Sequence, residues 1–209
     1  MHNLTKKELT ILKSLDTPRK IQDFLETLKT NFEDETCFSP RTVLKRKKAH
    51  CMEAAMLAAA ALRVNGKKPL VVDLTTTCDD EDHVIAVFRQ HGCWGAISKS
   101  NHAVLRYRDP IYKTVRELVM SYFNEYYKDN GKKTLRSYSN PVDLSRFDRS
   151  GIEWMTDEDD VWDIPNYLAE VKHIPILNRK QISGLRKADS IEIEAGNIVK
   201  EKKRQIKQN

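Results

Sequence analysis

Residues 51–63 read CMEAAMLAAAALR, an unbroken run of strong helix formers in which no face is left polar. Cys51, Ala54, Ala55, Ala58, Ala59 and Leu62 share one side at helical spacing, and Met56, Leu57, Ala60 and Ala61 make the remaining sides apolar too. A helix that is hydrophobic all round must be buried, so the rest of the chain has to wrap it. Its alanines let neighbouring backbone come close. Asn65-Gly66 then supplies a stop and a turn. Residues 70–77 (LVVDLTTT) are rich in β-branched side chains and read as a strand. After the acidic loop 79–82 come a second strand at 83–89 (HVIAVFR) and, past a loop at 90–92, a third at 93–98. The expected fold class is α+β: a buried helix with Cys51 at its N-terminus, packed on a small antiparallel sheet, with additional peripheral helices.

The peripheral elements carry weaker signals. Thr17-Pro18 marks a helix start between two short amphipathic helices within 4–28. Residues 41–48 are basic with only Val43 and Leu44 apolar, which predicts a short exposed helix. Residues 111–127 place Val115, Leu118, Val119, Tyr122, Phe123 and Tyr126 at three- and four-residue steps, the pattern of one long helix. Beyond Lys128 the pieces are short, yet Trp154, Ile164 and Leu168 point to packing on the same body. One domain over 1–196 is expected, with its core at about 38–127, followed by a basic, disordered tail at 197–209.

Charge bears on partners. The 209 residues hold 36 Lys and Arg against 30 Asp and Glu, a net +6. Lys200, Lys202, Lys203, Arg204 and Lys207 against Glu201 put +4 of it in the tail, which leaves +2 for the folded body. Such a tail adds weak attraction to phosphates without specificity, so no specific nucleic-acid partner is expected. No stretch approaches the roughly 18 apolar residues of a spanning helix, and no membrane partner is expected either. Residues 1–15 lack the features of a secretory signal, and a cytoplasmic location is expected. Four cysteines, Cys37, Cys51, Cys78 and Cys93, are then free thiols rather than staples.

One of those thiols stands out. Cys51 occupies the first turn of the buried helix, where unpaired N–H groups and the positive dipole end favour a thiolate, and Lys45 to Lys48 add cations just upstream. By itself a small buried cysteine is ordinary core. His83 changes the balance: it opens a strand, and its parity with Ile85 and Val87 directs it to a packed face. If that face meets the start of the Cys51 helix, thiol and imidazole come within reach for nucleophilic catalysis. His50, His91, His102 and His173 rank lower, no metal-binding spacing occurs, and neither metal nor cofactor is expected.

The segments SPRTVLKRKKAHCMEAAMLAAAALRVNGKKPLVVDL and DHVIAVFRQHGCWGAIS together resemble the core of the transglutaminase-like superfamily of papain-type cysteine enzymes. The likeness spans about residues 38–98. It extends to small bacterial members in which Arg-Asp-Pro-Ile-Tyr, here 108–112, continues the chain. The resemblance implies acyl transfer or amide hydrolysis on a peptide or protein substrate, with Cys51 as nucleophile and His83 as general acid and base. Three departures qualify it. Ala49 stands where the family has glycine, Val84-Ile85 replaces Ala-Trp, and counting from Trp94 puts Ser98 where the family carries an Asp or Asn. Hairpin geometry offers Ser98, Lys99 or Ser100 opposite His83 for loops of four, three or two residues, and none is a carboxylate. Asn101 is a further amide candidate. The incomplete triad keeps a second function open, a catalytically degenerate domain that binds a peptide or protein in its cleft. Oligomeric state is left open.

Overall fold

The computed structural model describes residues 3–33 and 35–202. Local capping sets its helix starts. The Thr5 hydroxyl accepts the Glu8 N–H while the Glu8 carboxylate accepts the Thr5 N–H, opening α1 (Lys6–Ser14), and Thr17 with Pro18 opens α2 (Pro18–Thr27). β1 (Lys29–Thr30) pairs in parallel with β2 (Lys48–Ala49), and α3 (Pro40–Arg46) lies between them. Lys47 ends α3 in the left-handed region at φ 57°. α3 is less exposed than its basic sequence predicts: Pro40, Thr42, Val43 and Leu44 are all buried, because its few apolar residues fall on one side and dock on α4. α4 (Cys51–Val64) is the buried rod, with every residue from Met52 to Leu62 out of solvent.

Seven strands form the main sheet: β3 (Leu70–Thr75), β4 (His83–Gln90), β5 (Cys93–Ile97), β6 (Arg108–Tyr112), β7 (Ser137–Ser139), β8 (Val142–Asp143) and β9 (His173–Pro175). They lie in the order β6-β5-β4-β3-β7-β9 with β8 also on β3, and every pair is antiparallel. Alternation divides the sheet into two faces. Val71, Val84, Ala86, Phe88 and Ile97 join α4 in one cluster. Val72, Leu74, Ile85, Val87 and Ala96 join Leu118, Val119, Tyr122 and Tyr126 in the other. The molecule is α+β with a core on each side of one sheet.

The second core is where sequence periodicity misled. Residues 111–127 do not form one helix but the end of β6, α5 (Val115–Met120) and a 3-10 turn, Phe123–Glu125. Thr114 and Glu117 form a capping box that starts α5 late, and Pro110 sits in β6, an edge strand that tolerates it. The apolar spacing survives because the turn keeps Tyr122 and Phe123 on the inner side. α6 (Ser145–Arg149), α7 (Asp163–Glu170), α8 (Arg179–Ser183) and α9 (Ser190–Gly196) complete the periphery. Of the basic segment expected to fray, residues 197–202 run along the body, with Lys200 N–H donating to the Asn101 carbonyl; residues 203–209 lie outside those described. Among the described residues, no helix is long and apolar enough to cross a membrane.

Candidate active site

A cleft of about 620 Å³ opens where α4 begins and β4 begins, and Cys51 and His83 both line it. The two arrive there by different routes. Cys51 is the first residue of α4, so its own N–H has no acceptor within the helix. His83 is the first residue of β4, and its parity with Ile85 and Val87 assigns it to the face covered by α5, not to the α4 face. Both nonetheless line one cleft, each from the first position of its element.

His50 and His83 line the same cleft as the thiol and act on its ionisation. Burial raises its pKa, but the hydrogen bonds and charges of His50 and His83 outweigh burial and hold it well below the usual thiol range. Cys37 shows the opposite balance. Burial, with the nearby Glu53 and Asp160 carboxylates, pushes it up to about 12, and its Sγ contacts the Val161 carbonyl. Cys93 is buried and Cys78 exposed on a loop outside the cleft lining. Cys51 alone of the four combines partial exposure with a pKa lowered by two imidazoles.

The far side of His83 is fixed by a chain of single-proton donors. His83 Nε2 lies 2.8 Å from Ser98 Oγ, and Ser98 Oγ donates to the Leu105 carbonyl at 2.6 Å. Ser98 has one proton and spends it on Leu105, so it must accept from His83, which places a proton on Nε2 and leaves Nδ1 for the thiol. Leu105 holds its carbonyl there from the left-handed region, φ 60°, a conformation unusual for a leucine. Its N–H donates to Glu125 Oε2 at 2.9 Å, and Glu125 Oε1 pairs with Arg108 Nη2 at 2.7 Å. Ser98, the residue reached by counting from Trp94, is thus the one against the imidazole, while the hairpin argument had left Ser98, Lys99 and Ser100 open. The hairpin turn is the two-residue His91-Gly92, φ 51° and 78°, pairing Gln90 with Cys93. That register extended would bring Ser100 opposite His83, but the ladder ends at Ala86 and Ile97, and the chain leaves it in time to turn Ser98 onto the imidazole.

The other candidates are occupied elsewhere. Asn101 lines the cleft, but its amide bonds to Thr30 Oγ1 and to the backbone of Glu201 and so does not serve the imidazole. Lys99 is buried with Nζ donating to the Leu25 and Leu28 carbonyls past the end of α2, and burial lowers its pKa.

His50 is the residue that sequence ranking undervalued. As N-cap of α4 its ring folds back over the first turn, with Nδ1 3.3 Å from Met52 N and Nε2 2.9 Å from the Thr36 carbonyl. Burial lowers its pKa, but the Cys51 hydrogen bond and the neighbouring Glu53 carboxylate raise it to about 9. Nδ1 can accept from Met52 or, once protonated, donate toward the sulfur; it cannot do both. Position alone was the available signal, since a residue just before a helix-start cysteine is its cap. Glu53, fully buried, accepts the N–H groups of His50 at 2.9 Å and Phe38 at 3.0 Å, the Thr36 hydroxyl at 3.0 Å, and the Asn31 amide at 3.1 and 3.2 Å. It clamps the loop after β1 over the start of α4.

Comparison with protein-family models and with curated protein sequences returned no match.

Proposed function

We propose that the protein is a transglutaminase-like cysteine enzyme acting on an amide or ester of a peptide or protein. One observation carries the reading: a helix-start thiol poised to ionise, faced by an imidazole whose tautomer is set from behind. The Cys51 thiolate attacks the substrate carbonyl carbon, and the free Cys51 N–H at the start of α4 receives the oxyanion. The His83 imidazolium gives its Nδ1 proton to the departing amine or alcohol, leaving a thioester on Sγ. Neutral His83 then takes a proton from water or an acceptor amine, whose attack releases the acyl group and restores the thiolate. Water gives hydrolysis and an amine gives transfer. Among the described residues no carboxylate contacts His83 Nε2; the Leu105 carbonyl, relayed through Ser98, supplies partial negative charge in its place.

Alkylation by iodoacetamide at neutral pH tests this directly. Cys51 should label fastest of the four cysteines, with its rate persisting to pH values below the ordinary thiol midpoint, and His83→Ala should slow it by about tenfold or more. Slow labelling of Cys51, at the pace of Cys37, would return the cleft to the reading of a degenerate binding module.

A further inference from the structure

In the same cleft as the thiol, the segment after α9 forms part of the wall through Gly196 and Asn197 and then runs antiparallel to residues 101–103. Val199 lies across from His102, the Ala103 N–H donates to the Ile198 carbonyl at 2.9 Å, and the Lys200 N–H donates to the Asn101 carbonyl at 2.8 Å. The Asn101 side chain grips the next residue by its backbone alone: Nδ2 donates to the Glu201 carbonyl at 2.9 Å, and Oδ1 accepts the Glu201 N–H at 2.9 Å. An amide that engages both polar groups of one residue's main chain recognises an extended peptide without reading its sequence. Three side chains of the segment make polar contacts among the described residues, the first a long one from Asn197 Nδ2 to Asp129 Oδ1 at 3.4 Å. Glu201 accepts the Thr30 N–H at 3.0 Å, and Lys200 Nζ pairs with Glu26 Oε2 at 3.0 Å. Ile198 points largely to solvent, 63% exposed, so the segment is held by its backbone rather than by burial.

We infer that residues 101–103 are a peptide-binding edge beside Cys51, which the chain's own residues 197–202 occupy in cis, and that an extended peptide carrying a basic residue followed by an acidic one takes their place by strand exchange. What such a peptide is for rests on the cysteine-enzyme reading of the cleft; its binding does not. A tethered occupant competes at a high effective concentration, so the untouched protein captures a free peptide weakly.

The test uses full-length Cys51→Ser protein, which cannot turn a peptide over, with and without Lys200→Pro, which removes the N–H donated to Asn101. A fluorescein-labelled peptide of residues 197–202 is titrated against each by anisotropy. Lys200→Pro should bind it about tenfold or more tightly than its parent, and adding Asn101→Ala should abolish the gain. Equal affinity with and without the proline, no binding by either, or indifference to Asn101→Ala would overturn the inference. Should the proline variant fail to fold, amide exchange in the unaltered protein decides. The Ala103, Lys200 and Glu201 amides should exchange together and faster than those of Ile85 and Val87, whereas one common slow rate would make the segment a permanent part of the fold and overturn the proposal. Slow alkylation of Cys51 alongside peptide capture would sink the enzyme reading and leave the edge standing; fast alkylation without capture would do the reverse.

Discussion

A serine between an imidazole and a backbone carbonyl does part of what a carboxylate would do. It fixes which nitrogen carries the proton, but it supplies only a dipole against the imidazolium formed when Cys51 ionises. Ser98→Ala should therefore weaken orientation before it weakens the fold. It leaves the buried His83 Nε2–H without its acceptor, which costs about 1–3 kcal/mol. The expected outcome is a loss of several degrees in melting temperature and a Cys51 alkylation profile moved toward higher pH, with Ser98→Thr restoring the profile. An unmoved profile with a lowered melting temperature would reduce Ser98 to a structural contact. At this scale Cys51 and His83 were legible because each announces itself by opening a regular element. Asn101 misled because spacing places a side chain near a site without saying which of several neighbours it will bond, and Thr30 and Glu201 claimed it.

Among the elements, α4 organises the rest, and Glu53 is how it does so at its functional end. Four groups from the loop after β1 and from the helix cap converge on one fully buried carboxylate, so the loop and the thiol share one anchor. Glu53→Ala would strand several buried donors at once. With about 1–3 kcal/mol for each orphaned group, the loss is on the order of 3 kcal/mol or more, a fall on the order of 10 °C in melting temperature for a chain of this length. The loss of the Glu53 charge should also lower the His50 pKa in part, with the contribution of Cys51 remaining, which a histidine titration by NMR would register as a fall from about 9. The buried helix and the three central strands were readable from composition and alternation. The break of 111–127 into strand, helix and turn was not, because a one-sided apolar stripe of three- and four-residue steps fits a capped short helix followed by a turn as well as it fits one long helix.

For the molecule as a whole, the Asp73–His173 pair between β3 and β9 gives stability a dependence on pH. Burial, helped by Asp82 and opposed by the hydrogen bond from His173 Nε2 at 3.0 Å, raises the Asp73 pKa to about 6. Its folded value thus exceeds its ordinary value of 3.8. Between roughly pH 4 and pH 6 the folded chain holds more protons than the unfolded one, so this group makes stability fall as pH rises through that window, by up to about 3 kcal/mol. Urea unfolding should find Asp73→Asn more favourable relative to the parent at pH 7 than at pH 4.5; the same difference at both values would remove Asp73 from the pH response. No sequence pattern joined Asp73 to His173, which stand a hundred positions apart on strands connected only through β7. Short-range chemistry is written along the chain: the capped helix starts, the all-apolar rod, the β-branched strands and the thiol at a helix N-terminus follow from residues within a few positions of one another. Partnership at a distance is decided by how the sheet ends and the loops close. That is why Cys51 could be singled out from sequence, while the imidazoles that share its cleft, the serine behind one of them and the C-terminal segment along the cleft wall belong to the tertiary structure.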